Sequence, residues 1–175
     1  ARLAPVKGVV GTLMSNLALE HALGKLGIPF ARAAVGDRYV VEMLNEKGWM
    51  YGGENSGHIL ALDRHTTGDG IVAALQVLAA MRQSAGGLKT LLGSLVLYPQ
   101  KLINVPVSRG FSWKDHPAIG AALIDAERRL DGRGRVLLRA SGTEPLLRVM
   151  VEGEEAAVVV NTAEQLAAVV RESVH

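Results

Sequence analysis

Apolar and polar positions along the chain follow two alternating periods. Short apolar runs at 6–10, 30–35 and 59–62 are bounded by glycine, proline or charge, and each predicts a strand. Between them Leu17, Leu19, Leu23 and Leu26 recur at helical spacing, with Ser15 or Asn16 as the cap and Gly27 as the stop. Gly36-Asp37-Arg38 forms a tight junction into a helix over 39–47, which Gly48 ends before a third strand at 49–51. Asp69 is read as the cap of a longer helix from 71 to about 85, closed by Gly86-Gly87 and followed by a short helix over 88–95. Strand–helix–strand–helix–strand predicts parallel pairing with right-handed crossovers, an α/β layer. Ligands on such sheets gather at the carboxyl ends of strands, which directs attention to Gly36 and to 53–58.

Tyr98-Pro99-Gln100 marks a hinge, so two domains are predicted, 1–96 and 97–175. The second opens with a strand at 101–107 and a polar stretch at 108–113. Asp115 is expected to cap a helix over 118–130, with Pro117 in its first turn. A turn at 131–134, a strand ending at Arg139, a strand at 146–152 and a helix from 156 to about 174 complete the chain. The expected fold class is therefore α/β: a parallel-sheet α/β/α domain followed by a small α+β domain.

Composition narrows the function classes. Of the 175 residues 49% are hydrophobic but only 4% aromatic, so the core is aliphatic. The absence of cysteine excludes disulfides and thiolate metal sites and fits a reducing, cytoplasmic setting. A net charge of +2 with interspersed signs, and no Lys/Arg run, argues against nucleic acid. Every apolar stretch is broken before it could span a bilayer. The chain opens at Ala1-Arg2-Leu3 without methionine, and the expectation is a fragment of a longer protein.

Two loops carry candidate chemistry. Arg139-Ala140-Ser141-Gly142-Thr143-Glu144-Pro145, followed by Arg148, sets two guanidinium groups, two hydroxyls and a glycine between apolar runs. Planar guanidinium forks match phosphate oxygens two at a time, and hydroxyls and amides fill the remaining lone pairs. A polar hairpin whose Ser and Thr serve only the turn is the alternative. The second loop, Gly53-Glu54-Asn55-Ser56-Gly57-His58, packs a carboxylate, an amide, a hydroxyl and an imidazole into six residues. A carboxylate accepts from vicinal sugar hydroxyls, and an ordinary turn with a solvated Glu54 is again the alternative. His58, Asp63 and His65 match no metal pattern, and neither a nucleophile triad nor a P-loop can be read from spacing.

Taken together these loops resemble the α-D-phosphohexomutase family, and the resemblance extends over essentially the whole chain. Gly11-Thr12-Leu13-Met14-Ser15-Asn16, Val35-Gly36-Asp37-Arg38-Tyr39, Gly68-Asp69-Gly70-Ile71-Val72 and Gly134-Arg135-Val136-Leu137-Leu138-Arg139 carry it further. Glucose- and mannose-directed members tend to read Gly-His-Ser where this chain has Gly36-Asp37-Arg38, a departure that favours the amino-sugar branch.

The resemblance implies the third and fourth domains of a four-domain enzyme. Glu54, Ser56 and His58 would hold the sugar, with Arg38 as a further candidate. Arg139, Ser141, Gly142, Thr143 and Arg148 would hold the non-reacting phosphate. It also implies a phosphoserine enzyme that interconverts glucosamine 6-phosphate and glucosamine 1-phosphate for UDP-N-acetylglucosamine synthesis. Mg2+ and a glucose or glucosamine 1,6-bisphosphate, as activator or intermediate, go with that chemistry. The serine and the Asp-Gly-Asp-x-Asp-Arg metal loop would lie in N-terminal domains outside this chain, so no catalytic or metal residue is assigned here. The chain alone is then expected to be inactive. Its partners would be a hexosamine phosphate and those N-terminal domains, with homodimerisation left open. A mannose- or glucose-phosphate mutase, or a non-catalytic binding or assembly module, remain the other readings.

Overall fold

A computed structural model of the chain describes residues 6–84, 87–93 and 95–174. The chain divides into two compact units, Ala1–Val96 and Leu97–His175.

The first unit is built on a four-stranded sheet of β1 (Val9–Thr12), β2 (Phe30–Ala33), β3 (Tyr51–Gly53) and β4 (Ile59–Ala61), in the order β2-β1-β3-β4. β1 runs parallel to β2 and β3, whereas β4 returns antiparallel to β3. The turn between them, at 54–58, is too short for a crossover. Helix α2 (Asp37–Lys47) lays Val40 and Leu44, one turn apart, into a core with Val10, Ala33 and Leu60. Helix α1 (Leu17–Lys25) is capped by Asn16, whose side chain accepts from the Ala18 N–H. Helix α3 (Gly70–Gln83) starts at Asp69, whose carboxylate accepts from the N–H groups of Ile71 and Val72. A short helix, α4, spans Leu88–Leu92.

Two strand positions differ from the pattern-based expectation. β1 begins at Val9 and continues through Gly11-Thr12, two residues beyond the apolar run at 6–10. Thr12 is buried, pairs in register with Ala33 and donates its N–H to Ser15 Oγ, so the strand turns three residues later. β3 starts at Tyr51 rather than Trp49. Gly52 belongs inside the sheet because a Cβ there would lie 2.7 Å from the Val10 carbonyl and 2.8 Å from Val40. The expected helix ends at Ala85 and Gly86 lie outside the described residues, as does Ser94.

The second unit pairs β5 (Gln100–Pro106), β6 (Gly134–Ala140) and β7 (Leu146–Gly153) in the antiparallel order β5-β7-β6. Helices α5 (Pro117–Leu130) and α6 (Ala156–Ser173) cover one face. Their Ile119, Ala126, Leu166, Ala167 and Val170 close over Val105, Leu138, Leu147 and Val149. Asp115 is not the cap of α5, contrary to expectation. His116 holds the cap position without a side-chain bond, and Asp115 sits in a 3-10 turn at Trp113–Asp115 with its carboxylate accepting from the Ser112 hydroxyl. Pro117 at the first helical position is the cause, because it holds the residue before it extended and so moves the boundary to His116.

Candidate functional site

The loop between β3 and β4 brings Glu54, Ser56 and His58 together. The Glu54 N–H donates to the His58 carbonyl at 2.9 Å, closing a tight turn that aims the three side chains into one cluster. Glu54 Oε2 lies 3.5 Å from Ser56 Oγ and 3.6 Å from His58 Nδ1, and Ser56 Oγ is 3.3 Å from that same nitrogen. The Glu54 side chain is only 8% exposed while the imidazole is 55% exposed. A nearly buried acceptor therefore sits beneath a solvent-facing donor or acceptor pair.

The other carboxylate oxygen is already engaged. Gly36 donates its N–H to Glu54 Oε1 at 2.8 Å. Gly36 has φ 131°, a conformation closed to L side chains, and this twist presents its amide to the carboxylate. Glu54 thus ties the β2–α2 junction to the β3–β4 turn and offers one oxygen to a ligand rather than two. No hydrogen bond joins Arg38 to this cluster. Its Nε donates to Glu42 Oε1 at 2.8 Å, one turn along α2, and that bond to a carboxylate raises the guanidinium pKa further.

In the second unit the β6–β7 loop displays two unused main-chain donors. Ser141 N–H donates to the Leu146 carbonyl, Leu146 N–H to the Glu144 carbonyl, and Glu144 N–H to Ser141 Oγ. The amides of Gly142 and Thr143 find no acceptor among the described residues. Two adjacent amides without an internal acceptor are donors available to an anion.

Arg139 and Arg148 stand directly opposite one another across β6 and β7. Their strand neighbours Leu138 and Val149 point into the helix-covered core, so the two arginines share the opposite face of the sheet. Neither is in an ion pair among the described residues. Nε of Arg148 is buried with no hydrogen-bond partner, a donor left open where few are.

A cavity of about 700 Å³ opens on this loop. One wall is 140–146, with Ser141, Gly142 and Thr143. The other is the β5–α5 loop at 107–114, which sequence reasoning passed over as a polar stretch. Arg139 and Arg148 do not line it. The signal in the sequence was the alternation of apolar Val107, Phe111 and Trp113, all packed on the core, with polar Arg109, Ser112 and Lys114.

Among the described residues no three His, Asp or Glu side chains converge as metal ligands. No described helix is long and apolar enough to cross a membrane.

Comparison with known proteins identifies the family. The family described as phosphoglucomutase/phosphomannomutase, alpha/beta/alpha domain III, matches residues 1–98, and its C-terminal domain matches 102–169. The phosphoglucosamine mutase of Dechloromonas aromatica is 82% identical over 99% of this chain, and that of Aromatoleum aromaticum 61% identical over 95%. The chain spans only 38% and 37% of those relatives. Among solved structures, Aspergillus fumigatus N-acetylphosphoglucosamine mutase in complex with GlcNAc-6P and magnesium superposes with a TM-score of 0.77. It is 21% identical, and the match covers 94% of this chain and 41% of that one. The same fungal enzyme in complex with glucose 1,6-bisphosphate gives a TM-score of 0.73, at 21% identity, over 97% of this chain and 39% of that one. The chain therefore belongs to the phosphoglucomutase/phosphomannomutase family and consists of its domain III followed by its C-terminal domain.

Proposed function

We propose that this chain is the sugar- and phosphate-recognition part of a phosphoglucosamine mutase. The parent protein would interconvert glucosamine 6-phosphate and glucosamine 1-phosphate through a phosphoserine and a 1,6-bisphosphate, supplying UDP-N-acetylglucosamine synthesis. The observation that carries the phosphate assignment is the uncompensated pair Arg139 and Arg148, facing each other on adjacent strands beside the free amides of Gly142 and Thr143. Like charges at directly opposed positions repel, and a dianion held at the adjoining 141–143 loop relieves that repulsion. Ser141 and Thr143 add hydroxyls beside them. Glu54, Ser56 and His58 recognise the ring hydroxyls, with Arg38 free to join once it leaves Glu42. The identity to bacterial phosphoglucosamine mutases favours the amino sugar over mannose or glucose phosphates.

The nucleophilic serine and the Mg2+ ligands are assigned to domains beyond this chain. Phosphoryl transfer depends on positioning together with metal neutralisation, so the chain alone binds and does not turn over. Calorimetric titration of glucosamine 6-phosphate into the 175-residue chain, alongside a coupled mutase assay, tests both halves of the reading. Weak, phosphate-dependent binding without turnover is expected. Binding that ignores the phosphate group, or Mg2+-dependent conversion by the chain itself, contradicts it.

A further inference from the structure

We infer that the phosphate site has a second wall: Arg109 and Lys114, on the β5–α5 loop, hold a phosphate monoester in the cavity from the side opposite Ser141–Thr143. This rests on the sugar-phosphate reading above and adds to it two recognition residues and the cavity as the seat of the ligand.

The loop is built to present these cations. Val107, Phe111 and Trp113 pack on the core of the second unit and anchor a loop whose residues 107–114 line the cavity, Arg109 and Lys114 among them. Ser108 to Phe111 form a turn closed by the Phe111 N–H on the Ser108 carbonyl at 3.1 Å. Gly110 in the third position has φ 83°, the sign a type II turn demands, which leaves Arg109 at the exposed corner. Lys114 Nζ rests 5.9 Å from the centre of the Trp113 ring, a cation–π contact that holds the ammonium at the cavity edge while leaving its donors unspent.

The charge balance points the same way. Neither Arg109 nor Lys114 has a carboxylate partner among the described residues. Asp115, the acid nearest in sequence, accepts from the Ser112 hydroxyl and does not line the cavity. Among the described residues Glu144 is the one acid lining the cavity, against two cations and two free amides. The walls are joined at their base, where Val107 N–H donates to the Pro145 carbonyl at 2.9 Å, so both approach one ligand in a fixed frame. A volume of about 700 Å³ far exceeds a bare phosphate and lies in the range of small-molecule sites, leaving room for a hexose attached to it.

The test is calorimetric titration of glucosamine 6-phosphate at low ionic strength into the 175-residue chain and into Arg109→Ala, Lys114→Gln and Arg139→Ala. Circular dichroism of each variant guards against misfolding. Arg109→Ala and Lys114→Gln are each expected to weaken binding about fivefold or more, as loss of a charge-assisted contact in a solvent-open cavity. Arg109→Lys is expected to recover part of that loss. In the unaltered chain the backbone amide signals of 109–114 are expected to shift on titration, with inorganic phosphate as well as with the sugar phosphate. If Arg139→Ala weakens binding while Arg109→Ala and Lys114→Gln leave it unchanged and the 109–114 signals stay still, the second wall is refuted and the sugar-phosphate reading survives. If the unaltered chain binds neither ligand, both fall.

Discussion

Arg139 and Arg148 are cross-strand partners, directly opposite on β6 and β7, and neither has a carboxylate partner among the described residues. A fold selected only for stability avoids this arrangement, because like charges at opposed positions cost about 0.2–1 kcal/mol. The buried, unpartnered Nε of Arg148 adds to that cost. Arg148→Met, which keeps the aliphatic bulk and drops the charge, is therefore expected to raise the stability of the ligand-free second unit by about 0.5 kcal/mol. The same variant is expected to lose about half of the stabilisation that phosphate confers. At a ligand concentration a hundredfold above Kd that stabilisation is about 2.7 kcal/mol, and a tenfold weaker site forfeits about 1.3 of it. Thermal unfolding with and without phosphate reads both changes. A variant less stable in both conditions would assign Arg148 to the framework instead.

Four positions along the same two strands, Arg135 and Glu152 are cross-strand partners of opposite charge, and Glu152 is fully buried. Removing one member of such a pair strands a charge away from water. Arg135→Leu is expected to cost about 3 kcal/mol, and adding Glu152→Gln to recover a large part of it by removing the buried charge. Urea unfolding of the single and double variants measures the coupling directly. Additive losses would mean that the pair contributes little.

Legibility in the sequence followed the range of the forces involved. Asp69 was readable as a cap because the amides it serves are two and three residues away. Asp115 misled because Pro117 moved the cap to the next residue, a local rule overlooked. The start of β3 depended on Gly52 fitting between the Val10 carbonyl and Val40, which no window along the chain reveals. The site divides likewise. Arg139, Arg148 and the loop between them stand out as residue types. That the arginines oppose one another follows only from the β6–β7 register. Arg109 and Lys114 reach the cavity beside the 141–143 loop because β5 ends against the start of β7, Pro106 paired with Leu146. The Gly36–Glu54 bond, eighteen residues apart, left no trace in the pattern.

The Asp69 cap carries a pH signature. The Val72 N–H holds its carboxylate below the usual range, against desolvation that pushes it up, with the Ile71 N–H and the charge of His65 helping to lower it. A carboxyl whose folded pKa is depressed contributes stability that is fully present above its unfolded pKa and is lost as pH falls through the folded one. Exchange protection of the Ile71 and Val72 amides is thus expected to hold from neutral pH down to about 4 and to fall below that. Asp69→Asn, which still accepts from the helix end, is expected to remove the pH dependence, and Asp69→Ala to lose the protection throughout. Protection that is flat with pH in the unaltered chain would mean that the carboxylate charge does not matter to α3.

Glu54 does two jobs with two oxygens, and substitution separates them. Oε1 accepts from Gly36 and holds the β2–α2 junction, while Oε2 faces Ser56 and His58. Glu54→Gln keeps an acceptor for Gly36 but turns the other position into an amide donor, which no longer accepts from a sugar hydroxyl. It is expected to preserve slow exchange at the Gly36 amide while weakening glucosamine 6-phosphate binding. Glu54→Ala removes both and is expected to free that amide as well, at a cost of about 1.5 kcal/mol for the lost charge-assisted bond. Hydrogen exchange at Gly36 and calorimetry on the two variants together decide the matter. If Glu54→Gln and Glu54→Ala bind the sugar phosphate equally weakly but differ at Gly36, recognition resides in Oε2. If Glu54→Gln binds as tightly as the unaltered chain, Glu54 is a tie between two loops and the sugar is read elsewhere.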